Sequence, residues 1–342
     1  MATGYVYDPL YLKHDLSNHP ENASRLVAIM QRLEASGMLA RLTAIPASDV
    51  PMEALLAVHD GGYVDRVRRW AEAGGGWLGP DTYIVAASYQ AALRAAGGVR
   101  NATWAVLRGE VHNAFALVRP PGHHALPQTG MGFCLFNNVA IAAQDALRAG
   151  AVERLLIADW DVHHGNGTAE IFAAEPAVLY FSTHEYPFYP GTGAADEVGY
   201  GAGRGSLINV PLPANVGDAG LQRAFAEVLV PAARRFRPQL ILVSAGYDGH
   251  WRDPLARLLV SVQGYARLTR ILMDLAAECC EGRLVLALEG GYDLEALAHC
   301  VLASLAVLAG EEPADPLGPA PFAETPVAAI LKQVRAIHGL AQ

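Results

Sequence analysis

The run Asp159-Trp160-Asp161-Val162-His163-His164 sets three potential metal donors at alternate positions. Side chains in extended backbone alternate faces with a period of two, so Asp159, Asp161 and His163 can project to one side together. Asp161 and His163 can then grip one cation while Asp159 stands behind them, orienting a histidine or serving another cation. A lone Asp-x-His run more often marks a surface loop or a helix N-cap, so the reading depends on donors elsewhere. Asp248, in the run Ser244-Ala245-Gly246-Tyr247-Asp248, offers a third. Two carboxylates and one imidazole leave a fourth position open for water or a substrate carbonyl, which is the pattern of a catalytic metal site. That donor set suits Zn²⁺ and would also accept Fe²⁺ or Co²⁺.

His123-His124 follows the stiff turn Pro120-Pro121-Gly122. An imidazole titrates near neutral pH, so it can take a proton from water and deliver it to a leaving nitrogen. Tyr292, after Gly290-Gly291, could donate a phenolic hydrogen bond to a developing oxyanion. Metal donors, a proton-transfer pair and an oxyanion donor together describe hydrolysis of an acyl group.

The elements that must position these groups alternate between short apolar runs and longer amphipathic stretches from about Asn113 onward, the pattern of βα units building a mostly parallel sheet. The expected strands are 114–118, 154–158, 177–181, 207–210, 239–243 and 283–288. Helical spacing of apolar residues runs over 87–108, 138–149, 219–235, 262–281 and 294–309. The first 75 residues read as helices with short connections, and residues 1–342 as a single domain. Polar motifs follow most of the strands: RPPGHH, DWDVHHGNG, STHEYPFYPGTG, SAGYDGHWRDP and EGGYD. The carboxyl ends of parallel strands share one edge, where ligand crevices form, so these distant loops should converge.

Composition narrows the class. The 342 residues are 52% hydrophobic and 17% charged, which excludes disordered, collagen-like and coiled-coil chains. Twenty-five basic against 34 acidic residues give a net charge of −9, and no Lys/Arg cluster stands ready for phosphates, which argues against nucleic-acid binding. The start shows no basic segment followed by an apolar one, and no run of about 18 apolar residues appears, so a cytoplasmic protein with no membrane contact is expected. Cys134, Cys279, Cys280 and Cys300 form no CxxC pair and read as reduced thiols.

The sequence strongly resembles the histone deacetylase family, specifically its class II and bacterial amidohydrolase branch. NHPENASRL, RPPGHH, GFCLFNN, DWDVHHGNGT, FYPGTG, SAGYDGH, DPL and LEGGY occur in family order between about Tyr5 and Ala309. The resemblance implies the arginase/deacetylase α/β fold, with a central mostly parallel sheet flanked by helices on both faces. It implies one catalytic zinc on Asp161, His163 and Asp248, with His123 and His124 as the tandem catalytic histidines and Tyr292 as the oxyanion-stabilising tyrosine. Asp159 would pair with the first histidine, and Asn166 takes the place where class I enzymes put an aspartate partner for the second. A structural potassium would use carbonyls of Asp159, Asp161, His163 and Ser182, with Thr183 nearby. Phe133 and Tyr189 would wall an acyl-lysine tunnel completed by Gly132, Gly290, Gly291 and Leu255; the second wall is usually Phe in the family.

Leu255 stands where the polyamine-selective branch carries an acidic residue, which favours an acyl-lysine or neutral amide over an acetylpolyamine. An arginase-like binuclear ureohydrolase would need more carboxylates near the first metal, and intact Tyr292 and both histidines weigh against a non-catalytic acyl-lysine reader. Substrate choice would fall to rim loops near 13–24, 75–83 and 184–204, with Asp81 a candidate contact for the substrate backbone, and homo-oligomers are possible.

Overall fold

The computed structural model describes residues 2–340. Its strands are β1 (Thr3–Val6), β2 (Thr43–Ala44), β3 (Gly75–Trp77), β4 (Tyr83–Val85), β5 (Asn113–Ala116), β6 (Leu155–Asp159), β7 (Val178–Glu185), β8 (Leu207–Leu212), β9 (Ile241–Ala245) and β10 (Leu284–Leu288). Eight of them form one sheet in the order β2-β1-β5-β10-β9-β6-β7-β8, and every pairing in it is parallel. Strands β5, β6, β7, β9 and β10 are buried at every residue. Apart from polar residues at strand ends and in the second half of β7 (Ser182 to Glu185), they read as continuous apolar runs, because a parallel sheet covered by helices offers neither face to water.

The six expected strands all form, with ends that differ from the expected ones by at most four residues, the largest difference being the extension of β7 to Glu185. The amino-terminal segment departs from its expected all-helical character. β1 inserts between β2 and β5, with Gly4 opposite Ala114 and Tyr5 opposite Phe115. A four-residue strand containing glycine carries too few alternations to be told from a loop. The glycine-rich stretch after residue 73 also forms a two-stranded antiparallel hairpin, β3 with β4, where a plain loop was expected.

The flanking helices follow the sequence closely. Ser88–Leu107 is buried around most of its circumference, as its Ala- and Val-rich composition requires. Asn137 caps Asn138–Arg148 by accepting from the Ala140 N–H, Ser261 caps Val262–Cys280 at Gly264, and Asp293 caps Leu294–Leu308 at Ala296. The expected helix 219–235 runs as Asp218–Ala224, a π turn at Phe225–Leu229 and Val230–Phe236. Pro231 has no N–H and its ring would crowd the carbonyl four residues earlier, which gives a physical reason for the widened turn.

What matters for the site is strand order. β5, β10, β9 and β6 are consecutive neighbours, and the loops that leave their carboxyl ends carry RPPGHH, EGGYD, SAGYDGH and DWDVHHGNG. Register aligns these ends: Asp159 lies beside Ser244 of β9 and Ser182 of β7, and Leu288 beside Ala245. No helix among the described residues is long and apolar enough to cross a membrane.

Candidate active site

Past Asp159 the backbone bends instead of running on as a strand. The Asp161 N–H donates to Asp159 Oδ1 (3.1 Å) and the His163 N–H to Asp161 Oδ1 (2.9 Å), so each aspartate accepts from the backbone two residues on. Asp161 and His163 therefore meet through turns, where simple strand alternation had been expected. Asp248 arrives from the loop after β9 and accepts the Val162 N–H at 2.9 Å. His163 Nδ1 ends 3.1 Å from Asp161 Oδ1 and 3.1 Å from Asp248 Oδ2. One donor atom from each of the three residues lies within 4.8 Å of the others.

This cluster suits a divalent cation. Burial and the neighbouring Asp161 charge push the Asp248 carboxyl up, whereas Asp161, though buried, is pulled down by His123 and His163. Two carboxylates out of water repel unless a positive charge stands between them, and two oxygens with one nitrogen match the borderline preference of zinc. Gly290 makes the close approach possible: a Cβ there would lie 2.1 Å from Asp248 Oδ2, and its N–H donates to Asp161 Oδ2 at 2.8 Å.

The tandem histidines sit beside the cluster on the turn after β5. His123 Nδ1 donates to Asp159 Oδ2 at 3.1 Å, and the Tyr180 hydroxyl donates to the same oxygen at 3.1 Å. Burial opposes a charge on His123, but the Asp159 and Asp161 carboxylates hold its pKa up at about 10. His124 Nδ1 pairs with Asn166 Oδ1 at 2.7 Å, and the Asn166 amide nitrogen faces Met131 Sδ at 3.4 Å. This pairing assigns the proton of neutral His124 to Nδ1 and leaves Nε2 as the acceptor. Burial and the neighbouring His123 and His163 keep His124 well below the ordinary imidazole range. One histidine is thus suited to carry charge and its neighbour to stay neutral, because one has a carboxylate partner and the other an amide.

A pocket of about 480 Å³ opens above these groups and is lined by His123, His124, His163, Gly132, Phe133, Tyr189, Leu255, Gly290 and Tyr292, with Asp81 and Pro121. The Phe133 ring stands edge-on to Tyr292 at 5.7 Å, and Tyr189 edge-on to His124 at 5.2 Å. Phe133 holds a left-handed backbone (φ 70°), an uncommon cost for a bulky side chain. Burial pushes the Tyr292 phenol well above its ordinary value, so it remains a hydrogen-bond donor. Of the other residues singled out, Gly291 does not line the pocket; its carbonyl accepts from Arg25 Nε at 2.7 Å. Ser182 and Thr183 are buried on β7, Ser182 Oγ meeting His184 Nδ1 at 2.9 Å and Thr183 Oγ1 without a side-chain partner.

Four groups that support the site escaped the chemical reading of the sequence. Arg25 lies 5.0 Å from the Tyr292 ring centroid, and its guanidinium also bonds the Glu289 carbonyl. Glu21 pairs with Arg25 at 3.0 Å and with Arg119, all three fully buried. Although burial opposes its charge, Arg119 and Arg25 hold Glu21 at about 2. Glu289 accepts the N–H groups of Gly122 (2.7 Å) and His123 (3.2 Å) on one oxygen, while its other oxygen has no partner. His123, Cys134 and Glu289 form a second buried donor group. All these residues lie in or beside the motifs NHPENASRL, RPPGHH, GFC and LEGGY, which is the signal a reader could have followed.

Comparison with known proteins agrees with this geometry. The profile of the histone deacetylase domain matches residues 19–308. A probable deacetylase of Archaeoglobus fulgidus is 43% identical over 314 residues, spanning 91% of this chain and 87% of that protein. A histone deacetylase-like amidohydrolase of Pseudomonas aeruginosa is 42% identical over 320 residues, 92% of this chain and 82% of the other. The crystal structure of the HDA15 HD domain superposes with a TM-score of 0.91 at 39% identity, covering 98% of this chain and 94% of that one. The matched span contains every residue of the pocket and of the parallel sheet except β1, and the likeness holds in sequence and in backbone alike; the chain belongs to the histone deacetylase family.

Proposed function

We propose that the protein is a zinc-dependent amide hydrolase that removes acetyl or another short acyl group from acyl-lysine side chains or related N-acyl amines. The observation that carries this reading is the convergence, at the floor of one aromatic-walled pocket, of the Asp161–His163–Asp248 donor set, two histidines with different partners and the Tyr292 phenol. A zinc ion on that donor set would supply Lewis acidity toward the amide carbonyl and make water a stronger nucleophile at neutral pH.

The chain's own residues account for the rest. His124 Nε2 accepts the proton of the attacking water, because Asn166 holds the other ring nitrogen protonated. His123, held by Asp159, balances the negative charge that grows on the substrate and shares in protonating the leaving amine. Tyr292 donates to the carbonyl oxygen as it becomes an oxyanion. Phe133, Tyr189 and Leu255 bury the methylenes of a lysine-like stem at about 0.8 kcal/mol each, and Asp81 at the mouth can accept an N–H of the substrate backbone.

The same proposal includes a single domain over 1–342, a cytoplasmic location and a structural potassium on the carbonyls of Asp159, Asp161, His163 and Ser182, the first and last of which stand side by side in register. An acetylpolyamine amidohydrolase is the second reading, and Leu255 in the pocket wall weighs against it. A polyamine would place an ammonium in the apolar midsection, where burial without a paired carboxylate is costly.

The deciding experiment measures kcat/KM of the zinc-loaded enzyme on acetyl-lysine peptides and on acetylspermidine and acetylputrescine. Acetyl-lysine should be preferred, and Leu255→Glu should narrow or reverse the preference. Preference for the polyamines by wild type, or an unchanged ratio in a folded Leu255→Glu enzyme, rejects this substrate class.

A further inference from the structure

Leu255 and Tyr292 reach the pocket from different loops, yet both are tied to one buried carboxylate. Asp253 Oδ1 accepts the Leu255 N–H at 2.9 Å, and Oδ2 accepts the N–H groups of Tyr292 at 2.6 Å and Asp293 at 3.3 Å. The Asp253 N–H donates to the His250 carbonyl at 2.8 Å, anchoring the bridge just beyond Asp248. Arg252 reinforces it from outside, pairing with Asp293 at 3.3 Å and Glu295 at 3.0 Å. From the opposite side Arg25 grips the Gly291 carbonyl, so the backbone before Tyr292 is held on both flanks. Asp253 does not line the pocket and is a step removed from the reacting atoms.

We infer that Asp253 is a positioning residue that couples the tunnel wall at Leu255 to the placement of the Tyr292 hydroxyl. The inference rests on Tyr292 being the oxyanion donor. A carboxylate fixed by N–H groups on both oxygens cannot shift toward one loop without moving the other. A substrate stem pressed against Leu255 therefore bears on the position of Tyr292, and an ill-fitting stem loses rate as well as affinity. Leu255 acts on kcat through Asp253 and on KM by direct contact.

The test is a set of double-mutant cycles on an acetyl-lysine peptide. Asp253→Ala should lower kcat by about 10²-fold, the scale of a displacement of roughly 1 Å in a catalytic group, with KM changed less than about 3-fold. In a Tyr292→Phe background, where the hydroxyl is already gone, the same change should cost less than about 3-fold, since residues acting as one unit are not additive. Leu255→Ala should lower kcat in the wild type but raise only KM in Asp253→Ala. Zinc content and a thermal melt report that each variant is folded. Should Asp253→Ala not fold, the same cycles run with Asp253→Asn, which keeps the shape but replaces one accepting oxygen with a donor. Losses that simply multiply in the double variants overturn the coupling. A Tyr292→Phe enzyme with wild-type kcat instead overturns the role of Tyr292 itself, so the two failures are distinguishable.

Discussion

Replacing Glu289 by Gln should make the metal-free protein more stable at neutral pH. Glu289 is fully buried, and one of its two oxygens has no partner. Burial is the main cause that lifts its pKa, opposed by the charge of His123 and the Gly122 N–H, and the balance lies at about 7 against an ordinary 4.5. A carboxyl whose folded pKa exceeds its unfolded one takes up a proton on folding between the two values. Its contribution is therefore fully present at low pH and is lost as pH climbs through the interval. Ionising the buried group at that raised value costs about 3 kcal/mol. Glutamine keeps an oxygen for the Gly122 and His123 N–H groups and does not titrate. Urea unfolding of wild type and Glu289→Gln in the presence of a chelator, from pH 5 to pH 8, should give curves that separate with rising pH. The variant should gain most of the roughly 3 kcal/mol above pH 7. Parallel curves over that range would refute the account of Glu289 as a buried carboxyl ionised at a cost.

Two further outcomes follow from the proposed reaction. Tyr292→Phe should lose about 10²–10³ in kcat on acetyl-lysine with little change in KM, the usual cost of one oxyanion donor, and unaltered kcat would remove the hydroxyl from the rate-limiting step. Elemental analysis should find one transition metal per chain, lost in a His163→Ala, Asp248→Ala double variant; two stoichiometric metals, or full zinc in that variant, would contradict the assignment.

How much of this could be read from the sequence depends on the range of the signal. The five helices were legible from their 3.6-residue apolar period, and the six central strands as short apolar runs followed by polar turn motifs. β1 was not, since four residues with one glycine show no period and the strand exists only by pairing with β2 and β5. The donor residues were legible because Asp, His and Tyr at strand ends are few and chemically pointed. The turns that bring Asp161 and His163 together were missed because an aspartate accepting an N–H two residues on competes with strand continuation, and sequence alone does not choose between them. The motifs mark Glu21, Arg25, Arg119 and Glu289 one by one, but their pairing was not legible, because a charged residue's neighbours in sequence do not say which distant partner it will be buried against.

The supporting groups also explain how loops from four strands hold a site at fixed geometry. The loop after β5 ties to that after β6 through His123 and Asp159, and the β6 loop ties to the β9 loop through the Val162 N–H and Asp248. The β9 loop ties to the β10 loop through Asp253 and the Tyr292 N–H, and the β10 loop returns to the β5 loop through Glu289 and the Gly122 N–H. The Gly290 N–H to Asp161 crosses the ring. Each link joins a carboxylate to an N–H on a neighbouring loop, and such charge-assisted bonds are stronger and shorter than neutral ones. Asp161 and Asp248 serve in this ring as well as in the donor set. A variant of either therefore removes a proposed metal ligand and also loosens a loop that carries a histidine or the tyrosine. Losses at these positions should exceed what metal affinity alone explains, so that in Asp161→Ala and Asp248→Ala the activity per bound metal falls along with metal content.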